Sequence, residues 1–308
     1  MPIRPDVSKA PPKLPLEIEA VDTANLLSAL ELVRGCLKTT SMLWMHALSL
    51  PVLSGVVVSD WSKASAKAVH RFCRNGGFSK LLLRIDKRHE RWTRRRGGYL
   101  LTLAELPTTI EELRLEGMVA ALLEPASPYA DQYSLAGVTV PDEEKVLVEI
   151  VGPGFDASDI LRGDIPPHER WDAGLRLSTR RQIDVVSQDE YASSVQKRLA
   201  KIGARLKNPA FPDRVPQDSA PLVDEATSFL KATRQTTLLK HAEGYTPIPE
   251  QHVVSFARDV RKLLSGLSAY GIHLGPSSFA ASVIPKRGLI FWDFFPARKQ
   301  EVASLYPC

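Results

Sequence analysis

Cysteine is scarce, and long apolar runs are missing. Cys36, Cys73 and Cys308 have no metal-ligand spacing and as an odd set cannot all pair internally, so a reducing, cytoplasmic setting is expected. The apolar stretch Leu50–Val58 is short and interrupted by Pro51, Ser54 and Gly55, so no membrane span is expected. Met1–Pro15 is proline-rich and has no apolar h-region, which does not read as a secretory signal. The Walker phosphate loop, the G-x-G-x-x-G dinucleotide turn and the G-x-S-x-G nucleophile elbow are all absent. Both His-Glu pairs, His89-Glu90 and His168-Glu169, fail as zinc-hydrolase motifs because Thr93 and Asp172 stand where the second histidine belongs. What remains is an ordinary globular composition, 44% apolar and 24% charged, which excludes disorder for most of the chain.

Charge is distributed unevenly. Residues 61–98 hold twelve Lys/Arg against two acids, and residues 105–172 hold fifteen acids against four Lys/Arg. Such a pair of blocks fits a nucleic-acid contact, or a phosphate site facing a metal site, or two solvated faces of opposite sign.

The pattern of apolar residues predicts an α/β (α+β) chain with mixed or antiparallel sheets and flanking helices. One or two helices are expected over 23–50, a strand over 51–58, a basic helix over 62–74, and strands over 80–85 and 98–103. A helix capped by Thr108 or Thr109 follows, then strands at 119–123, 133–140 and 145–151. Further helices are expected at about 188–206 and 250–270, with a proline-rich linker over 209–221. Two strands near 278–284 and 288–295 close the pattern. His-Glu-Arg-Trp occurs at both 89–92 and 168–171, which chance explains.

Four constellations could carry chemistry. Lys80 and Arg84 share one face of a strand, and Gly97-Gly98 opens the next one, a combination that suits a phosphate or else a solvated edge hairpin. Glu124 ends a buried strand, where a carboxylate and neighbouring amides can meet an adenine edge or simply close a turn. Glu149, Asp156, Asp159 and Asp164 cluster around a Gly-Pro-Gly turn, with Asp156 and Asp159 equally explained as helix caps. Asp293 interrupts the aromatic strand Phe291–Phe295, so it needs Mg²⁺ or an ion pair with Arg287 or Arg298.

In order, these pieces resemble the ATP-grasp superfamily across residues 76–300, with a fainter likeness to the nucleotide-binding domain of phosphoenolpyruvate synthase. The resemblance implies that Lys80 or Arg84 holds phosphate, Gly97-Gly98 forms the phosphate loop, Glu124 meets adenine, and Asp293 binds Mg²⁺. Unlike the family, the segment 275–286 lacks a second carboxylate, leaving Glu149, Asp156 or Asp159 as candidates for the missing ligand. The implied organisation is a proline-rich arm over 1–20, an N-terminal α/β portion over 21–75, the nucleotide-binding domain, and a tail over 301–308. The implied activity is an ATP- and Mg²⁺-dependent ligase or phosphotransferase that works through an acylphosphate on an unknown small-molecule or peptide acceptor. No side chain is singled out as catalytic. Two alternatives stand beside it: a nucleic-acid-binding protein using residues 84–96, and a nucleotide sensor with a decayed site.

Overall fold

The computed structural model describes residues 12–87, 98–125, 133–140, 144–152, 157–161, 167–174, 180–185, 246–297 and 299–306. The helix expected over 188–206, the 209–221 linker, Gly97, Asp156, Asp164 and the 88–96 part of the basic segment lie outside these residues.

Eleven strands are described, in two antiparallel sheets. The first has the order β1-β2-β5-β3-β4: β1 (Leu16–Glu17), β2 (Gly55–Val58), β3 (Lys80–Lys87), β4 (Gly98–Thr102) and β5 (Met118–Leu123). The second has the order β11-β10-β6-β7-β8-β9: β6 (Tyr133–Val140), β7 (Lys145–Val151), β8 (Glu169–Gly174), β9 (Arg180–Val185), β10 (Ser277–Ile284) and β11 (Gly288–Pro296).

Alternation along the strands decides what each face meets. In the first sheet Val56, Val58, Leu81, Leu83, Ile85 and Leu122 point to the side covered by α3 (Lys63–Gly76) and α4 (Leu106–Leu115). Val57, Leu82, Ala121 and Leu123 point the other way, into the main core. That core joins α1 (Leu26–Leu32), α2 (Leu37–Ala47), α6 (Glu250–Ala269) and the inner face of the second sheet. Its largest side chains include Trp44, Phe256, Phe279 and Phe291, with Phe256 stacked on Phe291. On the second sheet's outer face, the small residues Ala136 and Ala280 let α5 (Ala157–Leu161) lie close, sealed by Val151 and Ile160.

Local chemistry sets the helix ends. Ser62 caps α3 by accepting from the Ser65 amide, and Gly77 stops it with φ 69°, a left-handed conformation that glycine adopts without steric cost. The α4 helix starts earlier than its threonines suggest. Its cap is Glu105, whose carboxylate folds back to accept from both the Thr102 amide and hydroxyl at 2.6 Å. Thr109 is instead inside the helix, donating to the Glu105 carbonyl.

Three strands escape the sequence pattern: β1, β8 and β9. Leu16 and Glu17, expected in a loose arm, pair with Val57 and Val56, and Ile18 beside them is fully buried. In β8 the inward residues Glu169, Trp171 and Ala173 alternate with outward Arg170 and Asp172, but a buried glutamate disguises the period. The expected 80–85 strand runs on to Lys87.

Gly55 carries a packing constraint. A Cβ there would sit 2.6 Å from Leu123 Cδ2 and 2.7 Å from the Leu122 carbonyl oxygen, so the β2–β5 backbone would have to part. We expect Gly55→Ala to cost about 1–3 kcal/mol in a urea melt. An unchanged midpoint would mean that the two strands are less tightly apposed than described.

Candidate functional site

The even-numbered residues of β3 face the main core, and Arg84 is a cation among them. Its guanidinium leaves the first sheet and reaches β11, the edge strand of the second. There Nη1 donates to the Trp292 carbonyl at 2.6 Å and Nη2 to Asp293 Oδ2 at 2.5 Å. Both side chains of this ion pair are almost completely buried. A β-bulge makes the docking point: Ala280 faces Asp293 and Ala281 faces Phe291, so Trp292 is the extra residue. Its indole donates to the Ser282 hydroxyl at 2.8 Å, which holds the bulge to β10. The second carboxylate oxygen, Asp293 Oδ1, is buried and accepts no hydrogen bond among the described residues. A buried carboxylate with one oxygen left bare is costly, and a cation is its natural complement.

The glycine expectation is tied to this place by register. Gly98 lies directly across from Arg84 in the β3–β4 pair, whereas Lys80 lies across from Thr102 at the strand's far end. Lys80 is exposed and, at a strand rise of about 3.3 Å per residue, roughly 13 Å from Arg84 along β3.

Glu124 sits at the same seam and is fully engaged. Its carboxylate holds the Arg287 guanidinium in a two-pronged pair, at 2.5 Å (Oε1–Nη1) and 2.8 Å (Oε2–Nη2), and also accepts from the Ser54 amide. Its own amide donates to the Ser54 carbonyl. Arg287 belongs to the β10–β11 turn, so this pair joins the end of β5 to that hairpin. A third link is the Phe291 amide, which donates to the Pro51 carbonyl at 2.7 Å.

Glu149 is placed elsewhere. It stands on the outer face of β7, paired with Arg170 of β8 at 3.0 Å. Register puts Asp293, Ala280, Ala136 and Glu149 in one cross-strand row. Three strand spacings separate the two carboxylates, roughly 14 Å, and α5 packs over the alanines between them. Oxygens sharing one Mg²⁺ lie about 2.1 Å from it, so Glu149 does not join Asp293 on a common ion. Among the described residues no group of three or more His, Cys, Asp or Glu is arranged to hold a metal. Mg²⁺ still fits Asp293, because this ion is commonly held by one or two carboxylates with phosphate oxygens and water completing its shell.

Sequence reasoning missed a buried polar layer behind Arg84. Asp86, two residues along on the same face, accepts from the Thr39 amide at 2.8 Å in the first turn of α2. Burial pushes its carboxyl up to about 6, against the opposing pull of the Thr39 hydrogen bond and the nearby Lys38 and Arg84 charges. The neighbouring Thr40 hydroxyl meets the Tyr306 hydroxyl at 2.8 Å, and Ser41 donates to the Phe294 carbonyl at 2.6 Å. The one available signal was an acid inside the strand run Leu81–Lys87. Farther off, fully buried Glu169 accepts from the Trp171 indole and the Ile248 amide.

No protein-family model matches the sequence, and no curated protein does. Among solved structures the chain aligns at low identity with several enzymes. The macrocyclase MdnC of Microcystis aeruginosa, bound with precursor peptide MdnA, aligns at 10% identity over 88% of this chain and 59% of its own, with a TM-score of 0.38. D-alanyl-alanine synthetase A of Vibrio cholerae aligns at 9% identity over 92% and 60%, with a TM-score of 0.41. D-cycloserine synthetase DcsG aligns at 10% identity over 90% and 71%, with a TM-score of 0.39. The chain thus spans about three fifths of the length of the first two. Likeness at this level gives no residue a role. No helix among the described residues is long and apolar enough to cross a membrane.

Asp86 makes stability depend on pH. Its carboxyl loses a proton near 3.8 when unfolded but only near 6 when folded, so the folded state is the stronger proton binder between those values. The stabilisation from holding that proton is complete below about pH 4 and disappears as pH rises through about 6, a change of about 3 kcal/mol. We expect Asp86→Asn, which can still accept from Thr39, to raise the melting temperature at pH 8 relative to the parent and to lose that advantage at pH 4. A constant difference across the range would show that Asp86 is ionised throughout.

Proposed function

We propose that this chain is an ATP-grasp-like nucleotide-binding protein, acting as an ATP- and Mg²⁺-dependent ligase or phosphotransferase. The supporting observation is the Arg84–Asp293 pair at the seam of the two sheets, with Gly98 across from the cation and one carboxylate oxygen left bare. A guanidinium suits a polyphosphate because its planar fork matches phosphate oxygens. A carboxylate beside it suits the divalent ion that travels with the phosphates. The ion's contribution is to neutralise charge on the phosphoryl group as it transfers.

In this reading Arg84 orients the phosphates, and Lys80 adds a weaker contact from the exposed end of β3. Asp293 holds the metal alone among the acids named above. Glu124 and Arg287 brace the strand end that receives the base. The acceptor's carboxylate oxygen attacks the terminal phosphorus, the bond to the bridging oxygen breaks, and ADP leaves with that oxygen. An amine or thiol then displaces phosphate from the acyl carbon and gives up its proton. Charge placement, rather than a covalent side chain, supplies the acceleration. The acceptor, an unknown small molecule or peptide in this reading, would be read by variable loops. The buried side chains of Cys36 and Cys73 are compatible with a cytoplasmic location.

Binding of ATP, ADP and adenosine, with and without Mg²⁺, tests the reading. Arg84→Ala should weaken ATP by about ten- to a hundredfold, the worth of one charge-assisted contact, and leave adenosine unaffected. Lys80→Ala should act in the same direction but less. Glu124→Ala should weaken ATP and adenosine alike. ADP release that needs both Mg²⁺ and an acceptor would identify a ligase, and tight binding without turnover a sensor. Wild-type ATP affinity in both Arg84→Ala and Lys80→Ala would place the nucleotide elsewhere or nowhere.

A further inference from the structure

Resting on that reading, we propose that Asp293 is a specificity-determining residue that bars metal-free polyphosphate from Arg84, so that anion and cation enter only together. Both guanidinium ends described here are committed, Nη1 to the Trp292 carbonyl and Nη2 to Asp293 Oδ2. Each end has a second N–H, so an arriving anion reaches Arg84 either by lying beside the Asp293 carboxylate or by taking Nη2 from it. Asp293 is only 8% exposed and its Oδ1 already lacks a partner among the described residues. Taking Arg84 would leave both oxygens of a buried carboxylate bare, and sharing it would set that carboxylate beside a second negative charge. That loss and that repulsion oppose a free anion. An anion that brings a divalent cation escapes the cost, because the cation goes to Asp293 as the phosphate goes to Arg84. The two partners exchange one buried ion pair for two.

No other described side chain takes over the role. Asp86 is turned to the Thr39 amide, Glu124 is held by Arg287, and Glu149 by Arg170. The bulge at Trp292 keeps Asp293 where Arg84 can reach it, and the indole bond to Ser282 keeps the bulge in place. Exclusion of free anions is therefore built into the edge of the second sheet.

The sign of the Mg²⁺ effect is diagnostic. An ordinary cationic site prefers the more negative, metal-free anion, whereas this one must prefer the chelate. Calorimetric titration of the full chain with inorganic tripolyphosphate and with ATP, in EDTA and in Mg²⁺, measures it. In the wild type, Mg²⁺ should tighten both ligands by about tenfold or more. Asp293→Asn keeps the shape and an oxygen for Arg84 but removes the charge. In EDTA it should bind tripolyphosphate about ten- to a hundredfold tighter than the wild type. That gain should vanish in the double variant with Arg84→Gln, and thermal melts check that each variant is folded.

Equal wild-type affinity in EDTA and Mg²⁺ would overturn the proposal, and this measurement needs no variant. So would a folded Asp293→Asn that gains nothing for metal-free tripolyphosphate. If the wild type binds Mg·ATP through Arg84 while Asp293→Asn gains nothing, the exclusion is wrong and the nucleotide site stands. If the wild type prefers chelated tripolyphosphate and binds no ATP, the exclusion holds and the nucleotide reading fails.

Discussion

A guanidinium that crosses from the middle of one sheet to the edge of another ties the two halves of this protein together. Arg84 can make that crossing because β3 alternates, so the side that sends Leu82 into the core also sends Arg84 toward β11. Asp293 can receive it because a bulge adds Trp292 and shifts the strand's pairing by one residue. Without the bulge, alternation along β11 would run on unbroken past Phe291, and the carboxylate would stand at a different point on the edge. The pair is buried, so removing one member alone would strand the other at a cost of about 3–5 kcal/mol. A contact of this kind does little for net stability against a hydrophobic substitute, but it strongly restricts how the sheets can meet.

Around that contact the seam is made of ordinary parts. Glu124 and Arg287 pair in a fork, the Pro51 carbonyl takes the Phe291 amide, and an apolar core runs continuously beneath. The polar layer of Asp86, Thr39, Thr40, Ser41 and Tyr306 lies between α2 and the strands. Each member that faces the interior has a protein partner there, as buried polar groups require. The outer face of the second sheet is a separate environment. Its ion pairs, Glu149–Arg170 and Lys145–Asp172, are partly solvated and worth little individually.

Much of the secondary structure was legible because short-range rules governed it. The α3 helix was bounded by Ser62 and Gly77, and the hairpin of β10 and β11 by the turn at Pro285–Gly288. The β5, β6 and β7 strands were plain apolar runs. Where a long-range need overrode the local pattern, the reading failed. Glu169 occupies an inward position of β8 because the Ile248 amide and the Trp171 indole need an acceptor there. Leu16 and Glu17 form a strand because β2 offers them an edge.

The residue types of the site belong to the same contrast. By itself the sequence determined that Lys80, Arg84, Glu124 and Asp293 stand at strand ends or on strand faces where charge is unusual, since alternation and composition are local properties. It could not say which charges meet. Asp293 was expected to meet Mg²⁺ or pair with Arg287 or Arg298, and the ion pair it makes is with Arg84, 209 residues away along the chain. Arg287 instead holds Glu124, 163 residues away. Glu149 was one of three candidates to share an ion with Asp293, and register places two alanines between them. Pairing across sheets depends on bulges, strand order and the packing of two faces, and each is fixed only when distant segments fold against one another. Tertiary structure alone decided those partnerships.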